Sequence, residues 1–114
     1  MKIEDFKNKL KEDPKTIQFQ ETMAVIETNF EFSPTSFKNG ELHNSKDQNL
    51  GSCKLLAFAK MEALTKEETL ACFGQFYFDE VLNDPNGKGH QNIRNFIKTG
   101  FEGLSFEGEP LKKK

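Results

Sequence analysis

The spacing of apolar residues predicts two helices at the start of the chain. Between residues 2 and 12, apolar positions recur at three- and four-residue intervals among charged ones; they are Ile3, Phe6 and Leu10. This spacing is typical of an amphipathic helix. Asp13-Pro14 interrupts it, since proline does not continue a helix. A second helix is predicted from about Ile17 to Thr28, with Phe19, Met23 and Ile26 facing inward.

The period then changes to two, which predicts strands. Phe30 and Phe32 alternate with polar residues, as in a half-buried strand, and Pro34 marks its end or an edge position. Asn39-Gly40 stands between two short flanks and is a strong hairpin signal. Phe37 and Leu42 are expected to anchor the two arms of this hairpin.

Two further helices are predicted in the middle of the chain. Residues 43–51 are polar and without a period, so we expect a loop there. Asn49 or Ser52 then caps a helix that runs to about Ala63. Thr65, with Glu68 three residues later, forms a capping box for a helix that ends near Asn83. The apolar face of that helix consists of Leu70, Phe73, Phe76, Tyr77 and Val81.

The last third predicts a short helix and a closing strand. Residues 83–90 are dense in turn formers and are expected to be a loop. The helix covers residues 91–99, and Gly100 is expected to end it. Alternation around Leu104 and Phe106 indicates a strand. The order of elements predicts an α+β fold in which about five helices pack on a small antiparallel sheet, made of the hairpin and the final strand.

Length and charge limit the classes to which this protein can belong. The 114 residues are expected to form a single domain, 1–114. The net charge is −2 and no helix carries a basic stripe, so nucleic-acid binding is not expected. Lys112–Lys114 are expected to form a frayed, solvated tail. Neither a membrane-spanning run nor a signal peptide is visible, which favours a cytoplasmic protein without a membrane partner.

Cys53 is the candidate for catalysis. It lies near a predicted helix start, where unpaired N–H groups and Lys54 would favour a thiolate. His43 or His90 would then act as the base. The alternative is that Cys53 is a core residue, because the helix that follows is apolar on all sides. We favour the core interpretation for Cys53, and more strongly for Cys72, and we expect both cysteines to be reduced.

The two histidines and the single arginine are weaker indications of a metal site or an anion site. His43 and His90 could share a metal ion with Asp47 or Asp84, but the spacing of known metal motifs is missing. We therefore expect no metal and no cofactor. Arg94 is the only arginine among sixteen basic residues, which suggests a site where a planar guanidinium matters. A buried ion pair is the favoured interpretation, with Asp79, Asp84 or Glu102 as the partner; anion capture is the alternative.

Two polar loops lead into predicted helix starts. One contains His43, Asn44 and Asn49, and the other contains Asn86, His90 and Asn92. Helix N-termini suit anions because their first N–H groups are free. If the two loops converge, they form a polar pocket that could bind a ligand; if they diverge, they are ordinary capping loops.

Several segments together resemble the HopJ family, whose members are named as type III effector proteins. They are "FEFSPTSFKNG", "GSCKLLAFAKMEAL", "TLACFGQFYFDEVL" and "HQNIRNFIKTGFEGLSFEGEPL", and the resemblance extends from about Phe6 to Leu111. It implies a small single-domain α+β bacterial protein without an established enzymatic activity. Lys46-Asp47 stands where the family has a small Ala-Gly pair, and Phe101 stands where it usually has Trp.

We therefore expect an uncharacterised HopJ-like binding or accessory module without catalysis. Its partner would be a small anionic ligand or a protein. The expected ligand-binding residues are Asn44, Asn49, Ser52, Lys54, His90, Asn92 and Arg94. The alternative function is a thiol-dependent enzyme that uses Cys53 with His43 or His90. The alternative location, which the family name implies, is a host cell reached through a type III system.

Overall fold

The computed structural model describes all residues, 1–114, and confirms the α+β class. The α-helices are α1 (Ile3–Glu12), α2 (Phe19–Asn29), α3 (Leu50–Met61), α4 (Lys66–Cys72) and α5 (Gln91–Thr99). The strands are β1 (Phe30–Phe32), β2 (Phe37–Asn39), β3 (Leu42–Asn44), β4 (Leu104–Phe106) and β5 (Leu111–Lys113). Single 3-10 turns cover Pro14–Thr16 and Gly100–Gly103, and a π-helical segment covers Phe76–Val81.

Four of the strands form two halves of one bent antiparallel ribbon. In one half β1 pairs with β5, and Phe30 faces Lys113. In the other half β2 pairs with β4, and Phe37 faces Phe106. Both strands advance seven residues between these pairs, so one register runs through both halves. Pairing stops around Pro34, which has no N–H to donate. β3 completes a three-stranded sheet in the order β3-β2-β4.

The hairpin forms, but its turn lies one residue later than predicted. Asn39 faces Leu42 in the ladder, so the two-residue loop is Gly40-Glu41, with Gly40 at φ 64°. A loop of this length needs positive φ at its first residue, and glycine meets that need. Asn39 therefore belongs to β2, where it is fully buried. Phe37 is buried in the same strand and faces Asn44.

The helix predicted from Thr65 to Asn83 is interrupted. The capping box is confirmed, because Thr65 Oγ1 accepts from Glu68 N at 3.0 Å and Glu68 Oε1 accepts from Thr65 N at 2.9 Å. Gly74 then takes φ 59° and passes against the chain that leads into α2. A Cβ atom on Gly74 would lie 2.5 Å from Phe19 N. This close approach ends α4, and the chain continues as the π-helical segment.

The lysine tail is also different from the prediction. Lys112 and Lys113 belong to β5, where they face Glu31 and Phe30, and Lys114 N donates to Asn29 O at 3.1 Å. The strand forms because Leu111 is buried and fixes the register of the residues that follow it.

The core is rich in phenylalanine and is built around α3. Its buried rings are Phe6, Phe30, Phe37, Phe58, Phe73 and Phe96. Every residue from Leu55 to Ala59 is buried, so the middle of α3 is enclosed on all sides. The start of α3 reaches the surface and is therefore available to a site. None of the helices combines the length and apolar character that crossing a bilayer requires.

Candidate functional site

The starts of α3 and α5 meet at one cleft of about 630 Å³. Asn49, Gly51 and Ser52 line it from the start of α3, and His90, Gln91 and Asn92 line it from the start of α5. The two polar loops thus lead to the same surface. Of the residues expected to bind a ligand, four line this cleft: Asn49, Ser52, His90 and Asn92.

The opposite wall of the cleft is aromatic. Phe19, Phe73 and Phe76 line it. The rings of Phe19 and Phe73 are nearly parallel at 6.4 Å between centroids, and Phe19 meets Phe76 edge-on at 5.2 Å. The His90 imidazole lies 5.3 Å from the Phe76 ring and joins the polar wall to the aromatic one. The cleft therefore offers hydrogen-bonding groups and an apolar surface within reach of a single small molecule.

Neither helix start is capped by a side chain. Asn49 and His90 precede the helices in the left-handed conformation, at φ 50° and 55°. The first helical bonds run from Cys53 N to Asn49 O and from Arg94 N to His90 O. The N–H groups of residues 50–52 and 91–93 therefore have no acceptor within their helices. Unpaired N–H groups at a helix start carry partial positive charge and favour anions.

An asparagine cluster fixes the polar wall from behind. The amides of Asn44 and Asn92 pair reciprocally, at 3.2 Å from Asn44 Nδ2 to Asn92 Oδ1 and 3.1 Å from Asn92 Nδ2 to Asn44 Oδ1. Asn49 Nδ2 donates to Asn44 Oδ1 at 2.6 Å. This bond holds the Asn49 side chain away from its own helix, which explains why Asn49 does not cap α3. Asn44 and Asn92 are 1% and 6% exposed, so Asn44 supports the cleft without lining it.

Asn39 is a member of this cluster that the sequence analysis missed. Its Nδ2 donates to Asn92 O at 2.8 Å and to Asn92 Oδ1 at 3.0 Å, while its Oδ1 is buried without a partner. The Asn39-Gly40 dipeptide is typical of a turn, which predicts a solvent position for its first residue. The signal that could have found it is the alternation from Phe37 to Asn39, which puts both side chains on the inner face.

Two of the expected ligand-binding residues lie away from the cleft. Lys54 Nζ is 3.3 Å from Glu27 Oε2 and lies 4.8 Å above the ring of Phe32. Arg94 donates from Nε to Gly89 O at 2.6 Å and from Nη1 to Asp84 O at 2.7 Å.

The predicted buried ion pair of Arg94 is therefore wrong. Its guanidinium is partly exposed and forms no salt bridge with Asp79, Asp84 or Glu102. The acceptors are main-chain carbonyls of the loop before α5, because that loop folds over the side chain. Arg94 holds this loop in place and so fixes the approach to His90.

The two histidines are separated. His43 is exposed on β3 beside Ser36, Ser45 and Glu107, whereas His90 Nε2 is 3.0 Å from Glu80 Oε1. No three His, Cys, Asp or Glu side chains come together as a metal-binding group. The arrangement considered in the sequence analysis, with His43 and His90 sharing a metal ion, is not assembled.

Cys53 is a core residue, as we favoured, being 1% exposed. Its Sγ contacts Thr35 O at 3.8 Å, and it forms no hydrogen bond with His43 or His90. Burial raises the pKa of the Cys53 thiol, and the contact with Thr35 opposes this only in part. Burial also raises the pKa of Cys72 well above its ordinary value, and Glu68 adds to the effect. Both cysteines are free thiols.

Together the fold and the cleft define a small α+β protein in which two uncapped helix starts face an aromatic wall. The chain belongs to the HopJ type III effector protein family, whose model matches residues 3–111. It is also similar to a solved protein described as "unknown function protein VPA0580", with 49% identity and a TM-score of 0.97 over 100% of this chain and 95% of that one. No match was found among curated proteins.

Proposed function

We propose that this HopJ protein is a non-catalytic binding module whose cleft takes a small anion that carries an apolar group. The observation that carries the proposal is the convergence of two uncapped helix starts in one cleft of about 630 Å³. Asn49, Ser52, His90 and Asn92 are the proposed contact residues, with Asn44 holding them from behind.

The preference for an anion follows from the charges around the cleft. Residues 50–52 and 91–93 supply six N–H groups without a helical acceptor, and each helix adds partial positive charge at its start. No carboxylate lines the cleft. Among the lining residues, His90 contacts a carboxylate, since its Nε2 lies 3.0 Å from Glu80 Oε1. An anion therefore meets donors without a competing negative charge on the lining.

The preference for an apolar group follows from the opposite wall. One side of the cleft is formed by the rings of Phe19, Phe73 and Phe76. Moving an apolar group of the ligand from water onto these rings is favourable in free energy, because it removes apolar surface from water. Organic carboxylates and phosphate esters with a ring combine both properties. The class of ligand proposed is therefore a small organic acid rather than a bare inorganic ion.

The proposed place of action is the cytoplasm. The family description supports the alternative, delivery into a host cell through a type III system. A protein partner is the alternative to a small ligand, since a side chain such as Asp or Glu could fill the same donor set. The experiment below distinguishes the small ligand from that alternative.

A thermal-shift screen tests the proposal. The panel contains phosphate, acetate, benzoate and a nucleoside monophosphate. A ligand at 100 times its Kd is expected to raise stability by about 2.7 kcal/mol through mass action. Benzoate and the nucleotide are expected to shift Tm more than phosphate and acetate do. If no member of the panel shifts Tm, the small-ligand proposal fails.

Ser52→Glu is the sharpest variant, because it places a carboxylate in the cleft at the third position of α3. A carboxylate there stabilises a helix start by about 0.3–1 kcal/mol, so the ligand-free Tm should be unchanged or higher. The same carboxylate should abolish the shift caused by anions. Ser105→Glu, on the exposed face of β4, makes the same change of charge outside the lining of the cleft and should keep the shift. Equal responses from both variants would contradict the proposal.

A further inference from the structure

A second groove of about 530 Å³ runs along the outer edge of β5, between that strand and α3. Leu111, Lys112 and Lys113 all line it. Successive side chains of a strand point to opposite faces, so a groove touched by all three residues follows the edge of the strand rather than one face. It continues past Pro110 to Phe106, at the end of β4.

Main-chain groups along this edge have no partner. In an antiparallel ladder, alternate residues exchange both of their hydrogen bonds with the neighbouring strand. Ser33 N bonds to Pro110 O and Lys114 N bonds to Asn29 O, so Lys112 is the residue between them that pairs with β1. The N–H and C=O groups of Leu111 and Lys113 therefore point outward. β1 is the only neighbour of β5, and an unpaired edge of this kind is a template for an added strand.

The groove has an apolar base and a positive rim. Ala57, Met61, Phe106 and Leu111 supply apolar surface, and Met61 is 49% exposed. Lys60, Lys112 and Lys113 are the positive lining residues, while Glu109 is the only negative one. This balance is opposite in sign to the net charge of the chain, which is −2. The rim therefore attracts acidic groups.

From the unpaired edge, the apolar base and the lysine rim, we propose that β5 binds an extended acidic peptide as an added strand. Main-chain hydrogen bonds to Leu111 and Lys113 would supply affinity. Alternate side chains of the peptide would then fall on the apolar base and on the lysines, which requires a sequence that alternates apolar and acidic residues. This site is separate from the cleft between α3 and α5 and does not depend on its ligand.

The probe is a fluorescein-labelled octapeptide of alternating Val and Glu, measured by fluorescence polarisation against the full chain. It is expected to bind, and the affinity should fall as salt is raised, because the rim charges are exposed and screened. An octapeptide of alternating Val and Lys should bind at least about tenfold more weakly. Val-Glu peptides can be methylated on either of the two alternating sets of main-chain nitrogens. The peptide whose methylated nitrogens would face β5 should lose binding, because it cannot donate to the edge.

Variants of Lys113 separate the main chain from the charge. Lys113→Pro removes one outward N–H and leaves the ladder to β1 intact, since proline is tolerated at strand edges. Lys113→Ala removes the same charge and keeps the N–H. The proline variant is expected to bind the Val-Glu peptide several-fold more weakly than the alanine variant does. Lys15→Glu, an exposed change on the Pro14–Thr16 turn, should have no effect on binding.

Three results would overturn the proposal. The first is equal binding of the Val-Glu and Val-Lys peptides, which would mean that the groove does not select charge. The second is no binding of either peptide, in which case the lysines serve only to protect the edge from other chains. The third is a dimer in sedimentation that Lys113→Pro abolishes, since the occupant would then be a second copy of this chain.

Discussion

The starts of α2 and α4 differ from the starts of α3 and α5 in how their first N–H groups are satisfied. Thr65 and Glu68 cap α4 reciprocally. At α2, Glu21 accepts from Gln18 N at 3.1 Å and Gln75 Oε1 accepts from Phe19 N at 2.9 Å. At α3 and α5 no side chain caps the helix, and the preceding residue has positive φ.

The difference shows where the chain departs from the usual capping of helix starts by side chains. Helices α2 and α4 show that side chains of this sequence can satisfy the first N–H groups of a helix. Asn49 is a residue that commonly caps helices, but its amide is bonded to Asn44 instead. Local rules are often broken at functional sites, where the rest of the structure compensates. The start of α1 also has no side-chain cap, but Lys2 before it has φ −73°, so the combination of a missing cap and positive φ singles out the cleft.

The largest expected effect comes from the asparagine cluster that replaces the caps. Asn92→Ala removes the Oδ1 that accepts from Asn44 and Asn39 and leaves the buried Asn44 amide without an acceptor, whereas Asn39 keeps its bond to the main-chain oxygen of residue 92. We expect a loss of about 3 kcal/mol in the free energy of unfolding, measured by urea denaturation. The control is Asn95→Ala, one turn further along the same helix, where the Asn95 amide donates only to Gln91. It should lower the free energy of unfolding by about 0.5 kcal/mol. Similar losses in both variants would mean that the cluster does not support the cleft.

The thiol of Cys53 tests which influence is stronger at the start of α3, burial or the helix dipole. Burial raises the pKa of Cys53. Above about pH 9 the unfolded chain then loses this proton while the folded chain keeps it, so stability falls by up to about 1.4 kcal/mol per pH unit.

Cys53→Ala removes this contribution. The difference in unfolding free energy between the wild type and Cys53→Ala should therefore decrease as the pH rises from about 9 to 10.5. If the dipole dominated, the pKa would be lowered, and the wild type would instead gain stability relative to the variant as the pH rises towards about 8.5. That result would also restore Cys53 as a candidate for catalysis.

The capped helix gives the next effect in size. Thr65→Ala removes the hydroxyl that accepts from Glu68 N and should cost about 1 kcal/mol, measured by urea denaturation. Asn49 precedes α3 as Thr65 precedes α4, but Asn49→Gly removes no side-chain cap. It should cost less than Thr65→Ala, because glycine adopts positive φ without strain. A larger loss in Asn49→Gly would show that its bond to Asn44 contributes more than the cap at α4.

Much of the fold was predictable because its signals are local. The capping box at Thr65, the stop at Gly100 and the strand at Phe30 each depend on a few neighbouring residues. Three features were not predictable, because distant contacts determine them. Gly74 interrupts α4 where the chain passes Phe19, and Lys112 joins a strand through its pairing with Glu31. Asn39 enters the sheet because its amide bonds to α5.

The candidate site was predictable only as a list of residues. Polar residues before two helices pointed to Asn49 and His90, but their convergence depends on how α3 and α5 pack, which no local pattern encodes. The same limit explains why Lys54 and Arg94 were assigned to the cleft. Both are close in sequence to residues that line the cleft. Lys54 is directed away from it by Glu27, which is distant in sequence, and Arg94 by the loop that folds over its side chain.

The smallest expected effect on stability belongs to His90→Gly, which separates strain from function. Glycine relieves the positive φ of 55° at this position, while the variant loses the contact with Glu80 and the ring packing on Phe76. These contributions oppose each other, so the free energy of unfolding should stay within about 0.5 kcal/mol of the wild type.

Ala63→Gly is the matched control, because Ala63 has φ 54° at the far end of α3 and is exposed. It should stabilise the protein by about 0.5–1 kcal/mol, since it relieves the same strain without losing a partner. Benzoate should still raise the Tm of Ala63→Gly, whereas His90→Gly should respond less than the wild type. If His90→Gly kept the full response, the imidazole would have no part in binding, and the positive φ at the start of α5 would be a feature of the fold alone.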